Sequence, residues 1–220
     1  MILGAFTRRL AGASLSLAAL LAPALALTPV LPVAPAAAQT QRDAAAEQFV
    51  QTEANRALGI LNNHSTAEKI RLFRAFVDRV ADVPRITSFV LGKYQRTITA
   101  DQSRQFATVF REYASNVYES RLNDYHGETL KVTGSVVRKP GDVIVTSVIV
   151  GGQQSAPVAV RWRVLQTGAG WKVVDVEVKG VWLAITEQQD FVSTVDNAGG
   201  NINVLIAQLQ KLNQDTAAAR

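Results

Sequence analysis

Apolar residues recur at helical spacing in the first part of the chain and again near its end. A segment that starts at Ser65 puts its apolar residues on one helical face, as spacings of three and four do: Ile70, Phe73, Val77 and Val80. The patterns Ser65-x-x-Glu68 and Thr99-x-x-Gln102 predict capping boxes at two helix starts. The predicted helices cover residues 43–61, 65–80, 84–91, 99–125, 183–195 and 201–212.

The period changes to two after Gly127, where Val, Ile and Thr dominate. The predicted strands cover residues 129–138, 143–150, 156–165 and 171–179. Glycine-containing turns separate them, which is typical of hairpins. One strand alternates valines and Trp162 with Arg161 and Arg163, so one face is apolar and the other polar. The sequence therefore predicts an α+β fold, a four-stranded antiparallel sheet with helices packed on one face.

The helices are rich in aromatic residues that could face the same space as the sheet. One interpretation is an ordinary filled core, which accounts for most buried aromatic side chains. The other is that helices and sheet do not fully close and so enclose an apolar pocket. The pattern of residues leaves both open.

The first residues have the organisation of an export signal. Arg8 and Arg9 are the only charged residues in the first 41, an apolar stretch covers residues 10–27, and a small-residue site ends at Ala38. This is typical of a secretory signal peptide. We therefore expect residues 1–38 to be a signal peptide and residues 39–220 to form a single α+β domain. The alternative is an uncleaved anchor, because 18 residues can just span a bilayer.

Composition narrows the possible chemistry. The 220 residues include no cysteine and two histidines, which excludes thiolate nucleophiles, thiolate metal sites and disulfides. The net charge is +5, with no dense run of lysine or arginine, so we expect no nucleic-acid partner. Hydrophobic residues make up 48% and charged residues 19%, which excludes a disordered chain.

Four segments carry specific motifs in a fixed order. The segment from Phe89 to Tyr94 fits the pattern LG-x-(Tyr/Trp), and Thr99 to Phe110 fits T-x-x-Q-x-x-x-F-x-x-x-F in a predicted helix. The other two segments are 118–128, which fits Y-x-x-x-L-x-x-Y-x-G-E, and 171–181, which fits WKV-x-DV-x-V-x-GV. Together these segments resemble the MlaC or toluene-tolerance family of periplasmic phospholipid-binding proteins.

The resemblance implies a periplasmic carrier that is not an enzyme and has no cofactor, with phospholipid as its cargo. It would exchange lipid between an inner-membrane ABC transporter complex and an outer-membrane lipid-transfer complex, and we expect a monomer. Apolar burial of about 0.8 kcal/mol per methylene would hold the acyl chains. The predicted lipid-binding residues are Phe89, Tyr94, Phe106, Phe110, Tyr113, Val160, Trp162, Val174, Val176, Trp182, Leu183 and Phe191.

One segment departs from the family pattern. Trp182 replaces a small residue, and Thr186-Glu187-Gln188 stands where Asn-Tyr-Arg is expected. A bulky indole at the pocket mouth would suit the rigid rings of a hopanoid, as in the hopanoid-associated MlaC-like branch. Alternatively, Trp182 packs on Trp171.

An enzyme is the competing hypothesis, since a cone of helices and curved sheet can place a buried Asp or Tyr as acid or base. The candidates are Asp124, Tyr125 and His126, but no nucleophile, phosphate-binding or metal motif accompanies them. Four surface arginines are candidates for contact with anionic headgroups: Arg71, Arg74, Arg161 and Arg163. For any single one of them, a solvated or salt-bridged position is the better explanation.

Overall fold

Helices come first, strands second and helices last, in the order that the sequence predicts. The structure is a computed structural model that describes residues 41–63, 65–122, 126–152 and 156–218. Its helices are α1 (Ala44–Asn63), α2 (Thr66–Val80), α3 (Val83–Val90), α4 (Ala100–Leu122), α5 (Leu183–Asn197) and α6 (Ile202–Ala218), with a 3₁₀ turn at Gly92–Arg96. Its strands are β1 (Thr129–Lys139), β2 (Asp142–Val150), β3 (Val158–Thr167), β4 (Gly170–Val178) and β5 (Val181–Trp182). The α+β prediction is confirmed.

The sheet is an antiparallel meander with the order β1-β2-β3-β4-β5. The prediction of four strands was one short, because β5 pairs with β4. Lys179 and Gly180, with φ of 52° and 85°, make the turn between them, and positive φ at both positions is the backbone of a type I′ hairpin. Since β5 has two residues, it shows no alternation from which a strand could be predicted.

Strand register puts the predicted apolar positions on one face. Trp162 pairs with Val145 on one side and with Val176 on the other, and Val160 pairs with Val178. A register shift follows Arg163, so that Val164 pairs with Val173. This bulge breaks the simple alternation of β4, where three consecutive residues, Val173, Val174 and Asp175, are all buried.

The two predicted capping boxes have different outcomes. Thr99 Oγ1 accepts from the Gln102 N–H (3.2 Å), and Gln102 Oε1 accepts from the Thr99 N–H (3.0 Å), so this box is confirmed. Ser65 is the N-cap of α2, but its side chain makes no capping hydrogen bond. Glu68 instead pairs with Arg71 at 3.2 Å.

Buried apolar residues form two packed clusters rather than one. The helical cluster joins α3, α4, α5 and α6 through Val90, Leu91, Phe106, Val109, Phe110, Ala184, Phe191, Val195, Ile202, Leu205, Ile206 and Leu209. The sheet cluster joins α1 and α2 to the strands through Ala46, Val50, Val80, Val143, Val145, Val164 and Val173.

The opposite face of the sheet carries ion pairs across neighbouring strands. Arg163 pairs with the buried Asp142 at 2.9 Å, and Arg161 pairs with Glu177. These two arginines therefore have acidic partners on the protein, as the salt-bridge interpretation predicts.

Two sequence predictions fall outside the described residues. One is the signal peptide at residues 1–38, and the other is the pair of enzyme candidates Asp124 and Tyr125. Among the helices that the structure describes, none has the length and apolar character needed to cross a bilayer.

Candidate functional site

A large apolar cavity lies where the two packed clusters face each other. Its volume is about 1210 Å³, which exceeds the range of about 300–1,000 Å³ typical of small-molecule sites. It is lined by residues of both clusters, for example Phe110 from the helical cluster and Val80 from the sheet cluster. The prediction that helices and sheet enclose an apolar pocket is confirmed.

Most of the helical wall of the cavity comes from α1, α2 and α4. Phe73, Phe76, Val77 and Val80 recur at spacings of three and four on α2, and the matching residues of α1 are Phe49, Ala57, Leu58 and Leu61. Such stripes normally pack against a neighbour. Here they face open space, so most of these side chains are only half-buried.

The sheet contributes an apolar floor that is held in place by hydrogen bonds. Val160, Trp162, Val176 and Val178 all line the cavity. The Trp162 Nε1–H donates to Ser147 Oγ at 2.9 Å, and the Ser147 hydroxyl donates to the Val160 carbonyl at 3.2 Å. The indole therefore has its polar atom satisfied while its rings face the cavity.

Glu53 is a buried carboxylate that joins two helices at the cavity wall. Its oxygens accept from Arg79 of α2 at 2.8 and 3.0 Å and from Arg56 at 2.8 Å. The hydrogen bond to Glu53 raises the pKa of Arg79. This two-pronged contact ties α2 to α1 along one side of the cavity.

Asp175, in β4, is a second buried carboxyl, and it binds the N-terminal end of α5. Its Oδ1 accepts from the N–H groups of Ala184 and Val176, both at 2.8 Å. Burial raises the pKa of Asp175, and these backbone N–H donors offset part of that rise. The carboxyl therefore holds the first turn of α5 against β4, which places Leu183 and Ala184 on the cavity wall.

Glu187 lies one turn further along α5 and also lines the cavity. The Tyr113 hydroxyl of α4 donates to its Oε1 at 3.2 Å. Burial raises the pKa of the Glu187 carboxyl, the Tyr113 hydrogen bond lowers it, and the charge of Asp190 raises it further.

Exposed charges on α2 and α4 form the rim of the cavity. Arg74 and Asp78 belong to α2, Arg111 and Glu112 belong to α4, and all four contribute to the lining. Arg111 pairs with Asp78 across the gap between the two helices. The cavity thus has an apolar interior and a rim that carries both signs of charge.

Seven of the twelve predicted lipid-binding residues line this cavity. They are Phe110, Tyr113, Val160, Trp162, Val174, Val176 and Leu183. Two others, Phe106 and Phe191, are packed in the helical cluster, with ring centroids 6.0 Å apart in an edge-on arrangement. They support the cavity wall from behind and do not reach the space itself.

The other three predicted residues do not line the cavity. Phe89 is exposed and its carbonyl accepts from the Gln188 amide, while the Tyr94 hydroxyl donates to Asp196. Trp182 lies beneath Arg161, whose guanidinium carbon is 5.4 Å from the ring centroid. The indole is not among the residues that line the cavity.

Many of the cavity-lining residues outside the predicted set are on α1 and α2. Their signal was present, since α2 has a clear apolar face that includes Phe73 and Phe76. What the pattern does not contain is the identity of the surface that this face meets. The Glu53–Arg79 contact joins residues 26 positions apart and had no sequence signal.

The described residues contain no group of three or more His, Cys, Asp and Glu side chains placed to hold a metal. His126 is exposed, and its backbone N–H donates to Glu128 at 2.7 Å. This contact is typical of a turn.

Comparison with known proteins agrees with this architecture. The family model described as "MlaC protein" matches residues 51–211. The phospholipid-binding protein from Ralstonia solanacearum, solved in complex with a phospholipid, has a similar fold, with a TM-score of 0.71 and 24% sequence identity. The match covers 79% of this chain and 99% of that one.

Proposed function

Because the chain belongs to the MlaC family, we propose that it is a lipid carrier that holds the acyl chains of a phospholipid in the cavity. The observation that carries this proposal is the apolar cavity of about 1210 Å³ between the two packed clusters. The similarly folded Ralstonia protein, which was solved with a phospholipid, supports the choice of cargo.

The chemistry of the lining suits binding rather than catalysis. Each methylene that moves from water to an apolar wall contributes about 0.8 kcal/mol. Acyl chains therefore gain most of their affinity from area alone, and they need few polar contacts. In our proposal the seven predicted residues on the wall, together with the apolar stripes of α1 and α2, supply that area.

The charged rim suggests which end of the ligand lies at the cavity opening. Arg74 and Arg111 lie where a phosphate headgroup would leave the apolar interior. Cations at this position favour an anionic headgroup, and neighbouring Asp78 and Glu112 limit how strongly it is held. We infer that the headgroup lies between α2 and α4, with the chains extending toward the sheet.

The wider role follows from family membership. We propose that residues 1–38 direct export and that residues 39–220 form the carrier domain in the periplasm. There the protein would act as a monomer and shuttle lipid between an inner-membrane ABC transporter complex and an outer-membrane lipid-transfer complex. Loss of the outer-membrane barrier in a deletion strain, with rescue by the wild-type chain, would test this role.

The decisive experiment is native mass spectrometry of protein purified from its own host, with the lipid extracted and identified. We compare wild type with Val176→Glu, which puts a carboxylate into the cavity, and with Val136→Glu, an exposed valine of the same sheet. We expect one phospholipid per wild-type chain, full retention in Val136→Glu, and loss of most bound lipid in Val176→Glu with a cooperative melt. A carboxylate in contact with an acyl chain is strongly unfavourable, so it weakens lipid binding. In the lipid-free protein, water can enter the cavity and solvate the carboxylate, so the protein still folds.

Each other outcome has a definite meaning. A hopanoid mass would replace phospholipid as the cargo, although Trp182 lies outside the cavity and no longer gives a reason to expect one. Equal lipid in Val176→Glu and Val136→Glu would show that the chains bind elsewhere. Absence of lipid from the native protein, and from protein incubated with phospholipid vesicles, would contradict the carrier proposal and return attention to an enzyme.

A further inference from the structure

Glu187 and Tyr113 form a polar pair on the mainly apolar wall of the cavity. Glu187 falls on the stripe of α5 that also carries Ala184 and Phe191, both buried in the helical cluster. Tyr113 packs against the same cluster, with its ring centroid 6.2 Å from that of Phe191. Both side chains line the cavity, so the pair lies where the packed helices meet the ligand space.

A carboxyl at this position is unlike the other acids of the wall. Glu53 has two arginines, and Asp175 has backbone N–H groups that it caps. Glu187 is paired with no cation among the described residues, and its neighbour Asp190 adds a second negative charge. Glu187 is half-buried, and withdrawing a carboxyl from water without a charged partner lowers stability, so fold stability alone does not account for this residue.

We propose that Glu187 and Tyr113 bind a hydroxyl group of the ligand, so that the carrier selects an amphiphile bearing an alcohol. The inference deepens the proposed lipid-carrier function and rests on it. An alcohol can insert between the two side chains, donating to a Glu187 carboxyl oxygen and accepting from the Tyr113 phenol. The Tyr113 O–H then leaves Glu187 Oε1, so one hydrogen bond is lost and two are formed. A phosphate is disfavoured here because it is anionic, which agrees with a headgroup at the arginine-bearing rim.

The alcohol could lie in the acyl chain or in the headgroup, and two ligand series separate these sources. The first series keeps phosphatidylcholine and compares stearoyl chains with positional isomers of hydroxystearoyl. The second keeps unmodified chains and compares phosphatidylglycerol with phosphatidylcholine. Competition for binding to delipidated protein gives an affinity ratio in each series. One added hydrogen bond predicts a preference of about two- to tenfold.

Three variants assign that preference to the pair. Glu187→Leu and Tyr113→Phe should abolish the preference for the alcohol, measured in each variant as the ratio of its affinities for hydroxystearoyl and plain stearoyl phosphatidylcholine. Glu187→Gln should retain most of it, since its amide oxygen still accepts a hydrogen bond. A preference found only in the second series assigns the alcohol to the headgroup.

The proposal is overturned if wild type prefers no alcohol in either series, or if the preference persists unchanged in Glu187→Leu. Melting curves confirm that each variant folds. Failure of wild type to bind even plain stearoyl phosphatidylcholine would instead count against the carrier function itself, so the two failures are distinguishable.

Discussion

At Glu187, the charge of a single side chain lowers the stability of the fold. Its carboxyl lies on an apolar stripe, and burial raises its pKa. A carboxyl whose pKa is higher in the folded chain destabilises the fold when it ionises. The penalty is absent below the ordinary carboxyl pKa and complete above the raised value.

Glu187→Gln should therefore stabilise the lipid-free protein at neutral pH. The gain should shrink as the pH falls through that window. It should vanish at a pH where the Glu187 carboxyl is protonated in both the folded and the unfolded protein. Chemical denaturation at a series of pH values measures it. Glu112→Gln, at an exposed glutamate of α4, is the control and should change the free energy of unfolding little at neutral pH. A gain that is constant with pH would mean that ionisation of Glu187 has no cost.

At the scale of elements, helix starts show what sequence patterns carry and what they omit. Both capping boxes have the right residue types, but only the one at Thr99 forms its two hydrogen bonds. The pattern gives the position of the helix start in both cases. Whether the acidic or amide side chain of the box bonds back to the helix start depends on competing partners. Glu68 has such a partner in Arg71.

Thr99→Ala should lower the free energy of unfolding by about 1 kcal/mol, since the α4 N-terminus loses a side-chain acceptor. Ser65→Ala, the matched change at α2, should cost only a few tenths as much, because the Ser65 side chain makes no capping bond. Urea unfolding of both variants tests this. Equal losses would show that Ser65 also caps its helix in solution.

Glycines give a second matched pair within the helices. Gly92 ends the α3 segment with φ of +53°, and a Cβ there would lie 2.7 Å from Val192 Cγ2. Gly59, inside α1, has open space around its Cα. We expect Gly92→Ala to destabilise the protein by about 1–3 kcal/mol through strain and overlap. Gly59→Ala should stabilise it by about 0.5–1 kcal/mol. Thermal melts of the lipid-free protein would reveal a reversed order, which would contradict this placement of α3 against α5.

At the scale of the whole molecule, the sequence predicted the α+β arrangement and the apolar face of the sheet. Alternation in β3 and β4 put Val160, Trp162 and Val176 on the face that lines the cavity. The helices were harder, because a stripe shows that a face is apolar but not whether it meets a neighbour or a space. On α4 the same stripe places Phe106 in the packed cluster and Tyr113 at the cavity. That division is fixed only when all the elements assemble.

The division between core and cavity is testable on a single helix. Ala46 is fully buried in the sheet cluster, whereas Ala57, about three turns along α1, lines the cavity. Ala46→Phe should destabilise the fold by about 1–3 kcal/mol or more, because a close-packed site has no room for a ring. Ala57→Phe should leave the melt of the lipid-free protein unchanged or higher, because the ring enters open space.

The same ring should compete with the ligand. We expect Ala57→Phe to carry less phospholipid per mole than wild type, with the largest loss for the longest acyl chains, as the ring shortens the space available to them. Lipid extraction beside a thermal melt gives both quantities for each variant. If Ala57→Phe unfolds like Ala46→Phe, then α1 packs closely along its whole length and the cavity closes when lipid is absent. If Ala57→Phe folds and keeps full lipid, the acyl chains bind along another wall of the cavity. The next substitutions to larger side chains should then be made at the sheet residues around Trp162.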